Sequence, residues 1–351
     1  MIVNPSREFA QKKKTLLNNV DSKEEETLDQ TLRPKQWGDF IGQERIKKNI
    51  QIILQAAQER KEAVDHLLFC GGPGLGKSTL SRLVAKSIGS NIRIITGPAI
   101  QRPGDLAAIL TSLSERDVLF VDEIHRLNKT CEEIIYPAME DFKLHIITGT
   151  GPMARTLEID LPPFTLIGAT TRVGLLTSPL RDRFGATFQV EFYSEDDVQK
   201  IIKRSANILC LEIDDEAIML ISQCSRFTPR IANRLLKRIR DFAQVEGMKR
   251  INKEITELGL SALEIDKMGL EPQDRKILEI LIRKFDGGPV GLQALAASTN
   301  EEQDNILAVY EPYLLQLGLI IRSPKGRIAT QKAYEHLGIN PKSKIQNTKL
   351  L

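Results

Sequence analysis

Residues 71–78 read Gly-Gly-Pro-Gly-Leu-Gly-Lys-Ser, and this octet satisfies the P-loop pattern G-x-x-x-x-G-K-[ST]. The apolar run at 67–70 is typical of a buried strand, and apolar residues recur at helical spacing at 79–86. Glycines let successive backbone N–H groups face one point at the positive end of the helix. Lys77 is expected to reach the β- and γ-phosphates, and the Ser78 hydroxyl to ligate Mg²⁺. The octet therefore predicts binding of a nucleoside triphosphate.

Composition excludes several other classes of protein. The 351 residues carry a net charge of +3, and 41% of them are hydrophobic, which suits two or three domains with cores of their own. No apolar run approaches the ~20 residues of a membrane span, and the polar start lacks a signal-peptide core, so we expect a cytoplasmic protein without a membrane partner. The four cysteines show no C-x-x-C spacing, which leaves metal and redox motifs unsupported.

Basic residues cluster in two stretches outside the P-loop region. Residues 226–250 carry eight Lys and Arg against two acids, and residues 318–349 carry seven against one. Such stretches are commonly solvated helix faces, but two of them favour a polyanionic partner.

The first 193 residues divide into a polar segment and an α/β segment. Residues 1–30 have few large apolar groups and are predicted to be a disordered extension. Over 31–193, short apolar strands alternate with amphipathic helices, which predicts a parallel α/β sheet. The predicted strands are 66–70, 92–96, 118–122 and 164–169. Residues 143–160 surround a Gly-Thr-Gly-Pro turn and are predicted to form a hairpin.

The remaining residues change character twice. Residues 194–264 read as helical throughout, which predicts an all-α lid domain. Over 265–338, helical patterns at 272–284, 290–297 and 301–317 lead into two β runs around a Pro-Lys-Gly turn. Three helices followed by a hairpin are typical of a winged-helix domain. Residues 339–351 are predicted to be a flexible tail.

Two carboxylates, Asp122 and Glu123, lie at the C-terminal end of the buried strand 118–122. Ligands of open α/β sheets bind where strands end, so Asp122 is expected to hold the Mg²⁺ shell. Glu123 lies one residue further and can orient the attacking water, which favours hydrolysis over transfer to a small molecule. The strand at 164–169 also ends in hydroxyls, and one of them could report on the γ-phosphate, although a strand that ends in threonine is common.

Arginines occur where they could stabilise a phosphoryl group in transfer. Arg181 and Arg183 precede a turn, and Arg230 begins a helix. A guanidinium has a fixed charge and forked donors that suit this task. By spacing alone, pairing with surface carboxylates explains these arginines equally well.

The motifs together resemble the RuvB family of AAA+ ATPases, the bacterial motors of Holliday-junction branch migration. The matching strings are Leu-Arg-Pro (32–34), Ile-Gly-Gln-Glu (41–44), Asp-Glu-Ile-His-Arg (122–126), Tyr-Pro-Ala-Met-Glu-Asp-Phe (136–142), Leu-Pro-Pro-Phe-Thr-Leu-Ile-Gly-Ala-Thr-Thr-Arg (161–172), Leu-Arg-Asp-Arg-Phe-Gly (180–185), Thr-Pro-Arg-Ile-Ala-Asn-Arg-Leu-Leu (228–236) and Gly-Gly-Pro-Val-Gly-Leu (287–292). The resemblance covers roughly residues 32–338, and one departure is Phe227, where the family usually has glycine.

The resemblance implies roles for individual residues around ATP and Mg²⁺. Arg183 resembles the arginine finger that completes a neighbouring subunit's active site, Thr171 the sensor on the fourth strand, and Arg230 the second sensor. The implied nucleotide-binding residues are Leu32, Arg33 and Ile41 with Tyr193 at the adenine, Gly74, Gly76, Lys77, Ser78 and Thr79 at the phosphates, and the stretch Glu140, Asp141 and Phe142.

The resemblance also implies partners. They are a four-way DNA junction and its duplex arms, a RuvA-type junction-binding protein at hairpin 143–160, a RuvC-type resolvase, and further copies of this chain in a hexamer. On the wing, Arg322, Lys325 and Arg327 match DNA-contacting positions. The alternative for these arginines is a structural pairing with Glu335 or neighbouring acids.

Two other functions fit the same ATPase motifs. An AAA+ loader or initiator would use hydrolysis only for release, and the winged-helix end and family-specific strings argue against it. A P-loop transcription regulator would need a helix that offers Arg, Asn or Gln to base edges. The helix at 301–317 begins with Glu, Glu, Gln, Asp and Asn, which is too acidic for that task. The wing cations suit contact with the phosphate backbone instead.

Overall fold

The computed structural model describes residues 29–148 and 155–340. Residues 1–28 of the predicted extension, 341–351 of the predicted tail and 149–154 at the turn of hairpin 143–160 lie outside the described residues. Residues 29–32 are helical, so the predicted disorder does not extend to residues 29 and 30. Among the described residues, no helix combines the length and apolar character that crossing a membrane requires.

The first part of the chain is built on a parallel sheet. Its helices and strands are α1 (Glu44–Arg60), β1 (Leu67–Cys70), α2 (Lys77–Ser87), β2 (Ile92–Thr96), α3 (Pro103–Thr111), β3 (Val118–Asp122), α4 (Lys129–Glu140), β4 (Lys143–Thr148), β5 (Arg155–Asp160), β6 (Thr165–Thr170), α5 (Ser178–Asp182) and β7 (Ala186–Gln189). The strand order is β2-β3-β6-β1-β7, and each neighbouring pair is parallel. The carboxyl ends of β1, β3 and β6 therefore meet at one edge of the sheet.

The four predicted strands of this sheet are confirmed to within one residue at each end. Every residue of β1 and β6 is buried, as expected for central parallel strands with both faces covered. Strand β7 was missed because it lies at the sheet edge and buries only Phe188. A single buried residue gives no detectable alternation.

The lid is helical, with one addition to the prediction. Its elements are α6 (Glu195–Ile208), β8 (Glu212–Ile213), α7 (Asp215–Gln223), α8 (Pro229–Val245), β9 (Arg250–Ile251) and α9 (Lys253–Ala262). The predicted all-α lid is confirmed. Two strands of two residues, β8 and β9, pair in parallel within it, and strands this short leave no periodic signal in the sequence. One hydrophobic cluster joins the lid helices to one face of the sheet, so a lid displacement changes packing against the sheet.

The last part is a winged helix with its own hydrophobic cluster. It contains α10 (Pro272–Arg283), α11 (Leu292–Thr299), α12 (Gln303–Asn305), a π-helical turn (Ile306–Tyr310), α13 (Glu311–Gln316), β10 (Ile320–Ser323), β11 (Gly326–Ala329) and α14 (Gln331–His336). The continuous helix predicted over 301–317 is interrupted by the π-turn. Pro312 has no N–H to donate to the carbonyl four residues earlier, so the turn before it widens.

Candidate functional site

The P-loop connects the end of β1 to the start of α2 and lies against the lid. Gly74 has φ +76° and Gly76 φ +100°, a left-handed conformation that glycine adopts without a steric penalty. A Cβ on Gly74 would lie 2.9 Å from Cβ of Arg230. Glycine is therefore needed here both for the turn and for the close approach of the lid arginine.

Lys77 is held beneath the loop as a buried cation. Its side chain is 7% exposed, and Nζ donates hydrogen bonds to Gly71 O at 2.8 Å and Gly72 O at 2.7 Å. Burial lowers the pKa of the Lys77 ammonium, while the Asp122 carboxylate opposes that shift. A buried cation beside the loop amides provides strong attraction for a phosphate.

A cavity of about 400 Å³ lies at this edge of the sheet and extends to the lid. The predicted residues that line it are Leu32, Arg33, Gly74, Gly76, Lys77, Ser78, Thr79, Asp122, Glu123, Thr171 and Arg230. A smaller cavity of about 60 Å³ is lined by Ile41 and Tyr193 and shares Leu32, Gly76 and Thr79 with the larger one. The sequence predictions for the phosphates and for the adenine thus fall in two adjoining cavities.

The two carboxylates after β3 differ in environment. The backbone N–H of Glu123 donates to Asp122 Oδ1 at 3.0 Å, which orients Asp122 at the strand end. Glu123 has φ +49°, a strained conformation for a non-glycine residue that is typical of functional sites. Its side chain is 44% exposed and its Oε2 lies 3.1 Å from Arg126 Nη1. Glu123 is therefore placed at the mouth of the cavity, where water can enter.

The two threonines after β6 have separate roles. Thr170 Oγ1 accepts a hydrogen bond from the Arg172 N–H at 2.9 Å and lies 2.9 Å from His125 Nδ1. Burial lowers the pKa of His125, which favours the neutral imidazole, and either tautomer can hydrogen bond to the Thr170 hydroxyl. Thr170 is thus bound within the protein, and Thr171 is left to line the cavity.

Sequence reasoning missed several residues of the cavity. They are Asp29, Pro34, Pro73, Pro229 and Asn233. Asn233 lies one helical turn after Arg230 on α8, and its Oδ1 accepts a hydrogen bond from Ser205 at 2.7 Å. Because Asn233 lies three residues after Arg230 in a helix, its side chain could have been expected on the same helix face as Arg230.

The oxygen donors of the cavity fit Mg²⁺. Ser78 and Asp122 line the same cavity, and hydroxyl and carboxylate oxygens suit this hard cation. Among residues 29–148 and 155–340, no group of three His, Cys, Asp or Glu side chains could hold a metal. The donor set therefore fits an ion bound largely by substrate phosphates and water.

A second group of predicted residues lies away from this cavity. Arg183 and Phe142 line a separate cavity of about 570 Å³, and Glu140 and Asp141 are exposed at the end of α4. Arg183 Nε lies 3.2 Å from Glu140 Oε1, although this ion pair lacks hydrogen-bond geometry. None of the four lines the P-loop cavity of its own chain. This separation is what a role at a neighbouring subunit's nucleotide requires.

The wing places its cations in unequal environments. Arg322 and Arg327 are directly opposite each other across β10 and β11, and both donate to Glu311, which is 1% exposed. Burial alone would raise the pKa of Glu311, but the hydrogen bonds from both arginines outweigh it and lower the pKa. Arg327 is only 14% exposed and makes a bidentate pair, whereas Arg322 is 55% exposed. The expected phosphate contact therefore fits Arg322 and exposed Lys325, while Arg327 is held in a bidentate ion pair; the partner acid is Glu311 and not Glu335.

The strands of hairpin 143–160 are confirmed as β4 and β5, which pair in antiparallel register. Leu144 is fully buried, whereas Leu157 is 51% exposed. The register pairs Leu144 with Ile159 and Ile146 with Leu157, so all four positions share one face. Strand alternation would bury one face of the hairpin and expose the other, but Leu157 is exposed although it shares a face with buried Leu144. Leu144 packs in the core cluster, and the pair that contains Leu157 lies two residues farther along β4 than the pair that contains Leu144.

Phe227 occupies a junction between the lid and the winged helix. Both Arg226 and Phe227 have φ +54°, the conformation for which glycine is favoured. The Phe227 ring packs 6.3 Å from the ring of Tyr313, and Arg226 bonds to the fully buried Asp274. Burial raises the pKa of Asp274 to about 6 even though Arg226 opposes the shift. Helix α8 still begins at Pro229, so this departure strains the backbone but does not disturb the helix entry.

Comparisons with known proteins cover nearly all of the described chain. Family models match for the Holliday junction DNA helicase RuvB P-loop domain at residues 32–190, the RuvB AAA lid domain at 193–266 and the RuvB C-terminal winged helix domain at 267–338. They show an AAA+ ATPase domain, a lid and a winged helix, as predicted.

Individual relatives agree with these models. A Holliday junction branch migration complex subunit RuvB of Dehalococcoides mccartyi is 53% identical over 331 residues, which cover 94% of this chain and 95% of the relative. The corresponding Kosmotoga olearia subunit is 55% identical over 315 residues, with 90% and 92% covered. A solved Thermotoga maritima structure, described as the RuvB Holliday junction branch migration motor, has a TM-score of 0.82 at 50% identity and covers 88% of this chain and 99% of its own. The chain belongs to the RuvB family.

Proposed function

We propose that this chain is the ATP-driven motor of Holliday-junction branch migration, a translocase that moves duplex DNA through a four-way junction in recombination and repair. The observation that carries the proposal is the cavity shared by the P-loop, the carboxylates after β3, Thr171 and the lid residue Arg230, in a chain that continues into a winged helix with exposed wing cations. Acting on DNA, it would work in the cytoplasm.

The residues of the cavity account for hydrolysis without a covalent step. Lys77 and the P-loop amides hold the phosphates, Arg230 reaches them from the lid, and Glu123 orients the attacking water and accepts its proton. Mg²⁺, held by Ser78 and through water by Asp122, would neutralise charge on the phosphate oxygens. Thr171 is placed to hydrogen bond to the γ-phosphate or the water.

Residues outside the P-loop cavity are proposed to contact the partners. Arg183 is proposed to complete the site of the next subunit, which requires a closed head-to-tail ring, a hexamer by family resemblance. Hairpin 143–160 is proposed to bind a RuvA-type protein, and a RuvC-type resolvase would join the larger complex. The winged helix would hold the duplex through its phosphates.

Dissociation of a synthetic four-way DNA junction tests the proposed function. We expect ATP-dependent dissociation that increases when a RuvA-type protein is added, and none with Lys77→Ala. A loader or initiator would bind the same junction with ATP but would not dissociate it. Such behaviour, with normal ATPase turnover and the RuvA-type partner present, would refute the translocase proposal.

On the wing, removal of Arg322 should act on DNA binding and removal of Arg327 on folding. Each lost phosphate contact lowers the slope of log K against log salt by about 0.9. We therefore expect Arg322→Ala with Lys325→Ala to flatten this slope by about 1.8 for unrelated DNA sequences. Arg327→Ala should instead destabilise the winged helix by roughly 1–3 kcal/mol, because it leaves the buried Glu311 carboxylate underpaired. Salt titrations of DNA binding and thermal unfolding measure the two effects.

The two wing variants serve as controls for each other, because each should change only one of the two measurements. A flatter salt slope with unaltered thermal stability in Arg327→Ala would contradict the structural role of Arg327. An unchanged slope in the Arg322 and Lys325 double variant would move the DNA contact away from the wing.

At the hairpin, Leu157→Asp should reduce RuvA-dependent stimulation and leave DNA-free ATPase activity unchanged. A charge on Leu157 would be costly to bury in the proposed interface. Leu258→Asp is the matched control, because Leu258 is 62% exposed on the lid helix α9. Equal loss of basal and stimulated activity in Leu157→Asp would mean that this position is part of the ATPase core.

A further inference from the structure

The cation of Arg183 lies on an aromatic ring. Its Cζ is 4.4 Å from the centroid of Tyr136, and Nη1 donates to Pro179 O at 2.8 Å. The Arg183 side chain is 23% exposed, so the guanidinium is partly withdrawn from water. Contact with a ring face stabilises a cation and restricts the rotamers of a long side chain.

Tyr136 is in turn held by a buried carboxylate. Glu132 lies one turn earlier on α4 and is 5% exposed. Its Oε2 accepts hydrogen bonds from the Tyr136 hydroxyl at 2.9 Å and from Thr177 Oγ1 at 2.8 Å. Among residues 29–148 and 155–340, no Lys, Arg or His forms an ion pair with Glu132. A buried carboxylate whose hydrogen bonds come from two hydroxyl groups carries a desolvation cost.

Thr177 connects the hydrogen bonds of Glu132 and Tyr136 to the helix that ends at Arg183. Thr177 is the N-cap of α5 and accepts a hydrogen bond from the Leu180 N–H. Arg183 is the C-cap residue of the same helix. Glu132 therefore ties α4 to the start of α5, and Tyr136 supports the arginine at its end.

We infer that Tyr136 is a positioning residue for Arg183, and that Glu132 and Thr177 fix the Tyr136 ring where the guanidinium rests. This inference rests on the proposed role of Arg183 in a neighbouring active site. A guanidinium ordered before catalysis loses less conformational freedom in the transition state. The network then acts on turnover in the neighbouring subunit and not on nucleotide binding in its own.

Tyr136→Leu tests the ring contact. We expect kcat for ATP to fall about tenfold, because a cation–π contact at a partly desolvated site has roughly this effect, while KM for ATP stays unchanged. Tyr136→Phe keeps the ring and should retain most of the activity. The kcat of Glu132→Gln should lie between those of Tyr136→Leu and Tyr136→Phe. Glu133→Gln is the matched control, because Glu133 is an exposed carboxylate on the same helix.

Mixed rings separate positioning from a general structural defect. Tyr136→Leu subunits have an intact P-loop, so Lys77→Ala subunits, which keep Arg183 and Tyr136, should restore their turnover. Arg183→Ala subunits should not, since both kinds of interface then lack a positioned arginine. If Tyr136→Leu does not fold, Thr177→Val serves for the same mixing experiment, because it removes one of the contacts that fix the Tyr136 ring while the ring itself remains in the chain.

Three outcomes would overturn the inference. If Tyr136→Leu keeps the wild-type kcat while Arg183→Ala loses activity, the positioning role of Tyr136 is refuted and the proposed role of Arg183 is retained. A loss of activity that Lys77→Ala subunits do not restore would also refute the positioning role. Wild-type kcat in Arg183→Ala would refute the proposed role of Arg183 itself, and the inference with it.

Discussion

Arg183→Ala should lower kcat for ATP hydrolysis by about 10³–10⁵, the range for an arginine finger in nucleoside triphosphatases. The guanidinium stabilises charge that develops on the γ-phosphoryl group in the transition state, so ATP binding should change little. Arg183 lies away from the P-loop cavity of its own chain, so the loss should arise at the neighbouring site. Steady-state kinetics and equilibrium binding of nucleotide measure the two quantities.

Arg181 provides the matched control for this prediction. It lies on the same short helix α5 and is exposed, so Arg181→Ala should keep near wild-type turnover. Mixing Arg183→Ala with Lys77→Ala subunits should restore part of the ATPase activity, because some interfaces then combine an intact P-loop with an intact arginine. If mixed rings form by native mass spectrometry and no mixing ratio restores activity, Arg183 acts within its own chain.

Glu123→Gln should lower kcat by about 10²–10⁴, the usual contribution of a general base, and should retain ATP. Glutamine still accepts a hydrogen bond from water but takes up no proton. Lys77→Ala should instead abolish nucleotide binding, because the buried ammonium contributes attraction to the phosphates before any chemistry occurs. Single-turnover hydrolysis and binding of a fluorescent nucleotide distinguish the two variants.

Nearby exposed residues of the same type provide controls for these two variants. Lys86 lies exposed on α2 with Lys77, and Glu115 is an exposed acid just before β3. Lys86→Ala and Glu115→Gln should bind and hydrolyse ATP normally. Turnover at the wild-type rate by Glu123→Gln would show that the general base lies elsewhere.

Local patterns predicted the elements whose signal is contained in adjacent residues. The P-loop, the buried strands and the carboxylates after β3 could be placed because a buried parallel strand is an uninterrupted apolar run. Its carboxyl end is where α/β sheets bind ligands. The same logic failed for β7, β8 and β9, since an edge strand or a two-residue strand buries too little to leave a pattern.

Local sequence patterns did not predict the different environments of the two wing arginines. Arg322 and Arg327 are equivalent by alternation, and the register does place them opposite each other. Their difference in exposure depends on Glu311, which lies on a helix outside the hairpin. The sequence left a DNA contact and a structural pair both open, and the position of that one acid favours the structural pair for Arg327.

By itself, then, the sequence determined the nucleotide-binding chemistry, the order of the three parts and the family, because each of these depends on residues close together in the chain. Only the tertiary structure decided that Thr170 is engaged by His125. It likewise showed that Arg183 rests on Tyr136, away from its own P-loop. It also showed that the lid shares a core with the sheet. These contacts join segments far apart in sequence, and burial and hydrogen-bond partners are set only when the segments pack together.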